Sequence, residues 1–427
     1  MGSVRKDIKD SLVIGFALFS MFFGAGNVIF PPYLGLGCGR EWVLGFLCYY
    51  LADIGLALLA MFAVLRSGSS DAITRPIGRI PARILMSAVV LCIGPMLAIP
   101  RTAASTYEMS LQPLASGVSP VVFSVLFFLV ILLLCLRESA VVDIVGKILT
   151  PALLLGLLVL IVKGVLDPIG PVPDRVLVDN VVRTGIEAGY QTMDVLAAVV
   201  FGIIILKSAD AKGHTDSRSR FRVVAGAGLV AGAALLVVYL GLTYLGVTTS
   251  RFFDLSVLRT FLIVSIVRNL LDGWGIVLFS VVVALACITT AVALVSSSAD
   301  YFSALSGGRV SYRALVVGIC AFSAVVSNFG LEQIVAIAGP VLDVVYPPTL
   351  ALILLALVQR WIPGDWTYRL AALAALAVSL LGAAAGQGLP CTFVNALPLA
   401  SFGLGWLLPA VVGAVLGGLV DRQMRKA

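Results

Sequence analysis

The chain contains 427 residues, of which 60% are hydrophobic and only 12% are charged, and its mean hydropathy is +1.09. A soluble domain carries about a quarter charged residues, so this composition excludes an ordinary soluble enzyme or binding module. Apolar runs of 18 residues or more recur along the chain, and each is long enough to cross the hydrocarbon core of a bilayer. We therefore predict an all-α polytopic membrane protein.

The apolar runs predict twelve transmembrane helices. The third, seventh and eighth are longer than one bilayer requires, which indicates tilt or protrusion. Two segments are predicted outer loops. Segment 167–183 is polar and rich in proline, and segment 250–275 has apolar residues at helical spacing, interrupted by Arg259 and Arg268, which predicts a short surface helix that could form part of a lid. The predicted spans are 11–37, 42–65, 80–110, 118–136, 141–165, 186–207, 219–247, 273–305, 312–329, 332–358, 367–386 and 399–420.

The net charge of +7 could suggest nucleic-acid binding, but the positions of the basic residues explain it differently. With a cytoplasmic N-terminus, 21 of the 29 Lys and Arg residues, Arg137 and Lys426 among them, fall on the inner side. Seven fall outside and Arg101 lies within a span. The positive-inside rule therefore predicts that both termini are cytoplasmic, and the basic excess is a topology signal, with no nucleic-acid partner expected.

The first span contains "MFFGAGNVIFPPYLG" (21–35), which is unusual for a membrane helix. Glycines permit irregular dihedrals, and Pro31 and Pro32 lack an amide hydrogen. Irregular backbone survives in a membrane only inside protein or beside a cavity. We predict a break at Gly24–Asn27, with a half-helix starting near Val28 whose positive end suits a carboxylate. The alternative is a kinked helix that packs through its small residues.

The sixth span, "EAGYQTMDVLAAVVFGIIIL", contains Phe201-Gly202, which echoes Phe23-Gly24 of the first span. Because five spans separate the starts of the two units, the second unit would enter the membrane from the opposite side. This pattern predicts an inverted repeat of five plus five helices, each opened by a broken helix, with ligand sites at the midplane. The repeats would cover 11–165 and 186–358, followed by two extra helices in 367–420.

Five segments, "FFGAGNVIFPPYLG", "IGPMLAIPRTAASTYE", "GYQTMDVLAAVVFGIII", "LACITTAVALVSS" and "VVSNFGLEQIVAIAGPVL", resemble the signature segments of bacterial branched-chain amino acid–cation symporters. The resemblance covers essentially the whole chain. It implies import of leucine, isoleucine and valine across the bacterial inner membrane, coupled to Na⁺ or to H⁺. It also implies the fold of the bacterial leucine transporter, whose inverted repeats place ligands at the midplane.

The resemblance also implies a sodium site between the first and eighth spans. Hydroxyl and carbonyl oxygens would supply it, and the alternative is that both threonines bond back to the carbonyl four residues earlier. Asn27 matches a residue of a second sodium site in the leucine transporter, but Leu196 replaces its threonine partner, so Asn27 is alternatively a helix cap. The ligands implied for the first site are the hydroxyls of Thr289 and Thr290 and the carbonyls of Ser20, Phe23 and Ala286.

The substrate is expected at the two breaks. Its carboxylate would meet the amides beside Gly24, at Ala25 and Gly26, and Phe201 would form the apolar wall. Each buried CH₂ is worth only about 0.8 kcal/mol, so leucine, isoleucine and valine should compete. The carbonyls expected to receive the ammonium are those of Phe22, Val195, Leu196, Ala197 and Ala198.

Charged residues inside spans are costly and therefore candidate functional residues. Glu108 is one, but it lies seven residues from Arg101 and cannot pair with it along one helix. We expect Arg101 to meet an aspartate of another helix, either as an outer gate or as a structural ion pair. Asp194 is a candidate proton carrier beside the sixth-span break. The gating or proton candidates are Arg101, Asp194, Asp53 and Asp343.

The remaining chemistry-bearing residues predict little. His214, the only histidine, is expected to be an ordinary solvated loop residue, and the seven cysteines to be small apolar core residues. No phosphate-binding loop appears, so ATP is not expected as an energy source. The expected partners are an amino acid, Na⁺ and membrane lipid. The alternatives are a proton-coupled symporter, a channel or a transporter-like nutrient sensor, and an enzyme is least expected.

Overall fold

A computed structural model describes residues 2–136 and 140–425; for residues 2–5, 140–150, 152 and 392 it describes the backbone alone. Arg137 and Lys426, both predicted on the inner side, lie outside the described residues. Within those residues the fold is entirely helical. The helices are α1 (Gly2–Phe22), α2 (Ala25–Cys38), α3 (Trp42–Tyr50), α4 (Leu56–Ser67), α5 (Ser70–Thr74), α6 (Arg79–Leu91), α7 (Ala98–Thr106), α8 (Pro120–Leu136), α9 (Ala140–Leu166), α10 (Val181–Thr192), α11 (Asp194–Ala211), α12 (Ser217–Val247), α13 (Arg259–Leu305), α14 (Tyr312–Val326), α15 (Leu331–Leu357), α16 (Asp365–Gly386) and α17 (Leu407–Met424).

Many of these helices are long and apolar enough to cross a bilayer. Eight continuous helical stretches of the described chain meet that criterion, and α10 with α11 adds a ninth as a pair bent by 40°. The helix α8 and the Leu153–Leu166 part of α9 are shorter apolar segments. The predicted all-α membrane architecture is confirmed at this level, whereas the count of twelve and the five-plus-five repeat stay predictions.

The first predicted span is interrupted at Phe23 and Gly24. Gly24 is extended (φ −116°, ψ −168°), and its amide donates to Asn27 Oδ1 over 3.2 Å. The Asn27 amide in turn donates to the Gly24 carbonyl over 3.2 Å. The asparagine thus satisfies an amide that the break would otherwise leave without a partner. The second half-helix begins at Ala25, three residues before the predicted Val28.

The sixth span is also interrupted, at Met193, directly before Asp194, which was expected to lie beside this break. Met193 adopts a left-handed conformation (φ 68°) between α10 and α11. Phe201 and Gly202 lie inside the continuous helix α11. A Cβ atom on Gly202 would lie 3.0 Å from the Val64 side chain, so this glycine serves close packing against α4. The echo that suggested a repeat therefore does not mark the second break.

A third interruption, which the sequence reasoning missed, lies in the third span. Gly94 has a non-helical conformation (φ −99°, ψ −132°), and Pro95 follows it without an amide donor. A Cβ atom on Gly94 would lie 2.8 Å from Ser298 Oγ, so a larger residue here would force the Ser298 side chain of α13 to move. The Gly-Pro dipeptide was the available signal. The interruption directly precedes α7 and positions its residue Arg101.

The predicted outer segment 250–275 contains a helix that packs against the protein. The α13 helix begins at Arg259 and changes direction at Asp272, which has a positive φ of 53°. Leu262, Ile263 and Ile266 on its first part are fully buried. At the other end of the chain, the last helix begins at Leu407, eight residues after the predicted start.

Candidate functional site

The first and sixth-span breaks face a common small cavity in the middle of the helix bundle. Its volume is about 30 Å³, room for about two water molecules and far less than an amino acid needs. Its lining residues are Met21, Phe22, Gly24, Ala25, Gly26, Asn27, Ile93, Ala98, Arg101, Thr102, Thr192, Met193, Asp194, Ala197, Phe201, Thr290 and Leu294.

Arg101 lies between the two breaks. It is only 4% exposed, and its guanidinium donates to the carbonyls of Gln191 (2.5 Å) and Thr192 (3.0 Å) at the end of α10. The negative end of that helix stabilises the positive charge. On the opposite side, Nη2 lies 3.0 Å from the position that a Cβ atom on Gly26 would take. The expected aspartate partner is replaced by backbone carbonyls, since Arg101 forms no salt bridge within the described residues.

Asn27 and Asp194 connect the two breaks directly. Asn27 Nδ2 donates to Asp194 Oδ2 over 2.8 Å and also contacts the Tyr239 hydroxyl. Because Asn27 Oδ1 holds the Gly24 amide, this one amide side chain fixes the first break and links it to the first residue of α11. Asp194 is buried and faces the cavity.

Asp53 is fully buried next to the hydrogen bonds of Asn27 and Asp194. Its Oδ1 atom accepts a hydrogen bond from Thr192 Oγ1 over 2.8 Å. Its side chain also adjoins Asp194 and Tyr49, yet Asp53 Oδ2 and the Tyr49 hydroxyl have no hydrogen-bond partner among the described residues. Two buried carboxylates and one buried guanidinium therefore share this region of the bundle.

The two threonines of the predicted sodium site differ in their surroundings. Thr289 Oγ1 donates to the Ala286 carbonyl over 2.9 Å, three residues earlier. Thr290 Oγ1 is buried and, among the described residues, has no partner; it lies 3.4 Å from where a Cβ atom on Gly24 would be. Since the Gly24 amide bonds Asn27, the Ser20 carbonyl is released from its helical hydrogen bond. The unpartnered Thr290 hydroxyl therefore lies next to Gly24 at the first break.

The structure separates the other predicted site residues into two groups. Phe22, Gly24, Ala25, Gly26, Ala197 and Phe201 line the cavity, and the rings of Phe22 and Phe201 are 6.5 Å apart. Val195, Leu196 and Ala198 are buried in α11 but do not line it. Because Val195–Ala198 lie inside a continuous helix, their carbonyls take part in its hydrogen bonding, and the open carbonyls of the break are those of Gln191 and Thr192.

Two of the charged candidates have positions away from the cavity. Asp343 is exposed on α15, near Arg183 and Glu187, and does not reach Arg101. Glu108 accepts hydrogen bonds from the Leu331 amide (2.9 Å) and Thr260 Oγ1 (2.8 Å), so it joins the start of α15 to α13.

His214 is buried, contrary to the prediction of a solvated loop residue. It is 4% exposed, with Nε2 3.0 Å from Asp10 Oδ2 and Nδ1 2.8 Å from Ser219 Oγ. The hydrogen bond from His214 lowers the pKa of the Asp10 carboxyl below its usual 3.8. This contact joins the start of α1 to the loop after α11. Because the two residues are 204 positions apart in the chain, no local feature of the sequence indicated the contact.

Known proteins resemble this chain along its whole length. The branched-chain amino acid permease BrnQ of Salmonella typhimurium is 34% identical over 428 residues, covering 97% of this chain and 96% of the permease. The branched-chain amino acid transport system 2 carrier protein of Pseudomonas aeruginosa is 37% identical over 428 residues, covering 98% and 97% of the two chains.

Solved structures share the fold at low sequence identity. A Na⁺-coupled sialic acid symporter in a substrate-bound outward-open state superposes with a TM-score of 0.64 at 12% identity, covering 96% of this chain and 90% of the symporter. MhsT in complex with L-phenylalanine superposes with a TM-score of 0.59 at 15% identity, covering 96% and 98% of the two chains. These neighbours have the leucine-transporter-like fold that the resemblance implied. A family model described as branched-chain amino acid transport protein matches residues 7–424, and the chain therefore belongs to that family of permeases.

Proposed function

We propose that this protein imports leucine, isoleucine and valine by alternating access, in symport with Na⁺. The observation that carries the proposal is that two helix breaks line one cavity, where main-chain groups of both breaks would be able to contact a bound amino acid. The cavity is contracted to about 30 Å³, so an amino acid binds only after the surrounding helices move apart. The names of the relatives support branched-chain amino acids as the substrates.

The proposed architecture has twelve transmembrane helices. Two inverted repeats, 11–165 and 186–358, precede two additional helices in 367–420, and both termini lie in the cytoplasm of a bacterial inner membrane. Support comes from the interruption of the first helix of each repeat and from the greater number of basic residues on the predicted inner side.

The proposed sodium ligands are the hydroxyls of Thr289 and Thr290 and the carbonyls of Ser20, Phe23 and Ala286. These are uncharged, hard oxygen donors of the kind that alkali cations prefer. The buried, unpartnered Thr290 hydroxyl and the released Ser20 carbonyl support the site, because buried polar groups without a partner are costly unless a ligand satisfies them. In this cycle Na⁺ binding would favour the state with higher substrate affinity, because an ion shifts an equilibrium only through its different affinities for the two states.

Selection among the apolar substrates should be shallow. Phe22, Phe201 and Leu294 form an apolar wall around the cavity. One CH₂ group is worth about 0.8 kcal/mol, or roughly a fourfold change in affinity, so valine should compete with leucine.

Uptake of radiolabelled leucine into proteoliposomes tests the assignment. The variant carrying Thr289→Ala and Thr290→Ala should lose Na⁺-stimulated uptake while its thermal unfolding remains cooperative. Asp343 is exposed and away from the cavity, so the variant Asp343→Asn serves as the control and should keep Na⁺-stimulated uptake. Unchanged sodium dependence in the double variant would contradict the proposed ion site.

A second candidate, proton coupling, is favoured by one specific observation. Asp53 Oδ2 and the Tyr49 hydroxyl are buried without a partner among the described residues, beside the carboxyl group of Asp194. Buried carboxylates with few partners can carry protons across a membrane. Leucine accumulation driven by an imposed pH gradient in sodium-free buffer, and lost in Asp53→Asn, would establish this alternative.

A further inference from the structure

The cavity at the helix breaks contains one positive and one negative side chain. Arg101 and Asp194 are the two ionisable residues among its described lining residues. The remaining lining is apolar or uncharged, with aromatic rings from Phe22 and Phe201. A ligand that fits these surroundings has two opposite charges close together and an apolar extension, which describes a zwitterionic apolar amino acid.

Arg101 is arranged to receive a carboxylate. A guanidinium has five N–H donors, and the carbonyls of Gln191 and Thr192 account for two hydrogen bonds. Because Gly26 has no side chain, Arg101 reaches the N-terminal turn of α2, where the first amides have no helical acceptor. A carboxylate placed there would meet a planar guanidinium on one side and open amides with a positive helix end on the other.

Asp194 is arranged to receive an ammonium group. Its Oδ2 atom accepts the hydrogen bond from Asn27, which leaves Oδ1 for another donor. Asp194 is the first residue of α11, and its carboxyl group also adjoins the carboxyl group of Asp53. Asn27 holds the carboxylate toward the first break and thereby toward the cavity.

We propose that Arg101 binds the α-carboxylate of the substrate and that Asp194 binds its α-ammonium group. The inference rests on the proposed function and deepens it, because it assigns recognition of both main-chain charges to side chains of the third and sixth spans. In this arrangement the backbone amides of Ala25 and Gly26 assist Arg101, and the alkyl group of the substrate points toward Phe22 and Phe201. The Arg101 contacts to Gln191 and Thr192 keep the guanidinium in place before substrate arrives.

Three ligands separate this role from a purely structural one. L-Leucine has both charges, L-leucinol lacks the carboxylate, and 4-methylpentanoate lacks the ammonium group. Binding of each ligand to purified protein in sodium buffer is measured by calorimetry and by competition with radiolabelled leucine. The wild type should bind both analogues at least 100-fold more weakly than leucine, because each analogue leaves one buried charge without its partner.

Each variant should weaken the binding of leucine but not the binding of the analogue that lacks the charge recognised by the substituted residue. Arg101→Gln should weaken leucine binding at least 30-fold but keep leucinol binding within threefold, so the ratio of leucine to leucinol affinity should fall at least tenfold. Asp194→Asn should do the same for leucine and 4-methylpentanoate. Arg101→Lys keeps the charge without the planar fork and should give an intermediate ratio, which tests the role even if Arg101→Gln misfolds. The control Asp343→Asn should leave every ratio unchanged.

The possible outcomes distinguish substrate recognition from a structural role of the two residues. Equal weakening of all ligands by the variants would show a structural role and overturn the inference, as would wild-type protein that binds leucinol as tightly as leucine. If the wild type prefers a different amino acid, branched-chain selectivity fails, but the ratios measured with the alcohol and deaminated analogue of that amino acid still decide the inference. Wild-type protein that binds no amino acid would refute both proposals.

Discussion

Substitution of Gly26 by alanine tests the geometry of the cavity most directly. The added Cβ atom would lie 3.0 Å from Arg101 Nη2 and 3.3 Å from Phe30 Cε2, whereas ordinary van der Waals contacts begin at 3.4 Å. The guanidinium must therefore shift by a few tenths of an ångström, away from the position where it would meet a carboxylate. A hydrogen bond to a charged group is worth about 1.5–3 kcal/mol, so loss of one from the guanidinium to the substrate carboxylate corresponds to about a 13- to 160-fold weaker leucine affinity.

The fold itself should not suffer from this substitution. Gly26 lies inside α2, where alanine has a better helix propensity than glycine by up to about 1 kcal/mol. We expect leucine affinity, measured by calorimetry, to fall while the midpoint of thermal unfolding stays level or rises. A loss of both would indicate general damage.

Gly24 provides the matched control on the same break. Its φ of −116° is accessible to alanine, and its added Cβ atom would lie 3.4 Å from Thr290 in ordinary contact. Gly24→Ala should therefore keep leucine affinity within threefold of the wild type. The reasoning is refuted if Gly26→Ala binds leucine within twofold of the wild type, or if Gly24→Ala loses as much affinity as Gly26→Ala.

Three further predictions follow from individual contacts. Thr290→Val should raise the Na⁺ concentration for half-maximal leucine uptake at least tenfold, because the Thr290 hydroxyl has no other partner among the described residues. Thr289→Val should raise that concentration less, since Thr289 already donates to the Ala286 carbonyl. Equal effects of the two substitutions would contradict the distinction between the two threonines. Asn27→Leu should lower the free energy of unfolding by about 1–3 kcal/mol for each buried partner it leaves, Asp194 and the Gly24 amide, as measured by denaturant unfolding; an unchanged value would show that the breaks are held by other contacts. His214→Ala should lower the free energy of unfolding by about 1–3 kcal/mol at pH 7. Because His214 lowers the pKa of Asp10 in the folded protein, the stabilisation from Asp10 should be complete above its usual pKa of 3.8 and be lost as the pH falls below that value. Unfolding midpoints of wild type and variant, measured between about pH 3 and pH 8, check this pH dependence.

Local sequence features predicted the properties that depend on composition and on neighbouring residues. The hydrophobic runs predicted a helical membrane protein, since backbone groups in lipid must be satisfied within helices. The Gly-Ala-Gly-Asn segment predicted the first break within a few residues, because glycine conformations and the missing amides of Pro31 and Pro32 act locally. The signature segments predicted the family, which the relatives confirm.

The contacts between distant segments could not be read from the chain. Met193 has no glycine or proline signal, yet it adopts a left-handed conformation between α10 and α11. Arg101 was expected to meet an aspartate but donates to the carbonyls that this break exposes, and Asp343, an equal candidate in sequence, is exposed on another face. His214 likewise finds its partner 204 residues away. The sequence by itself determined which segments are helical and where the first one breaks, because those properties depend on neighbouring residues. The tertiary structure decided which charges share the cavity, because burial and partner depend on how helices pack in three dimensions.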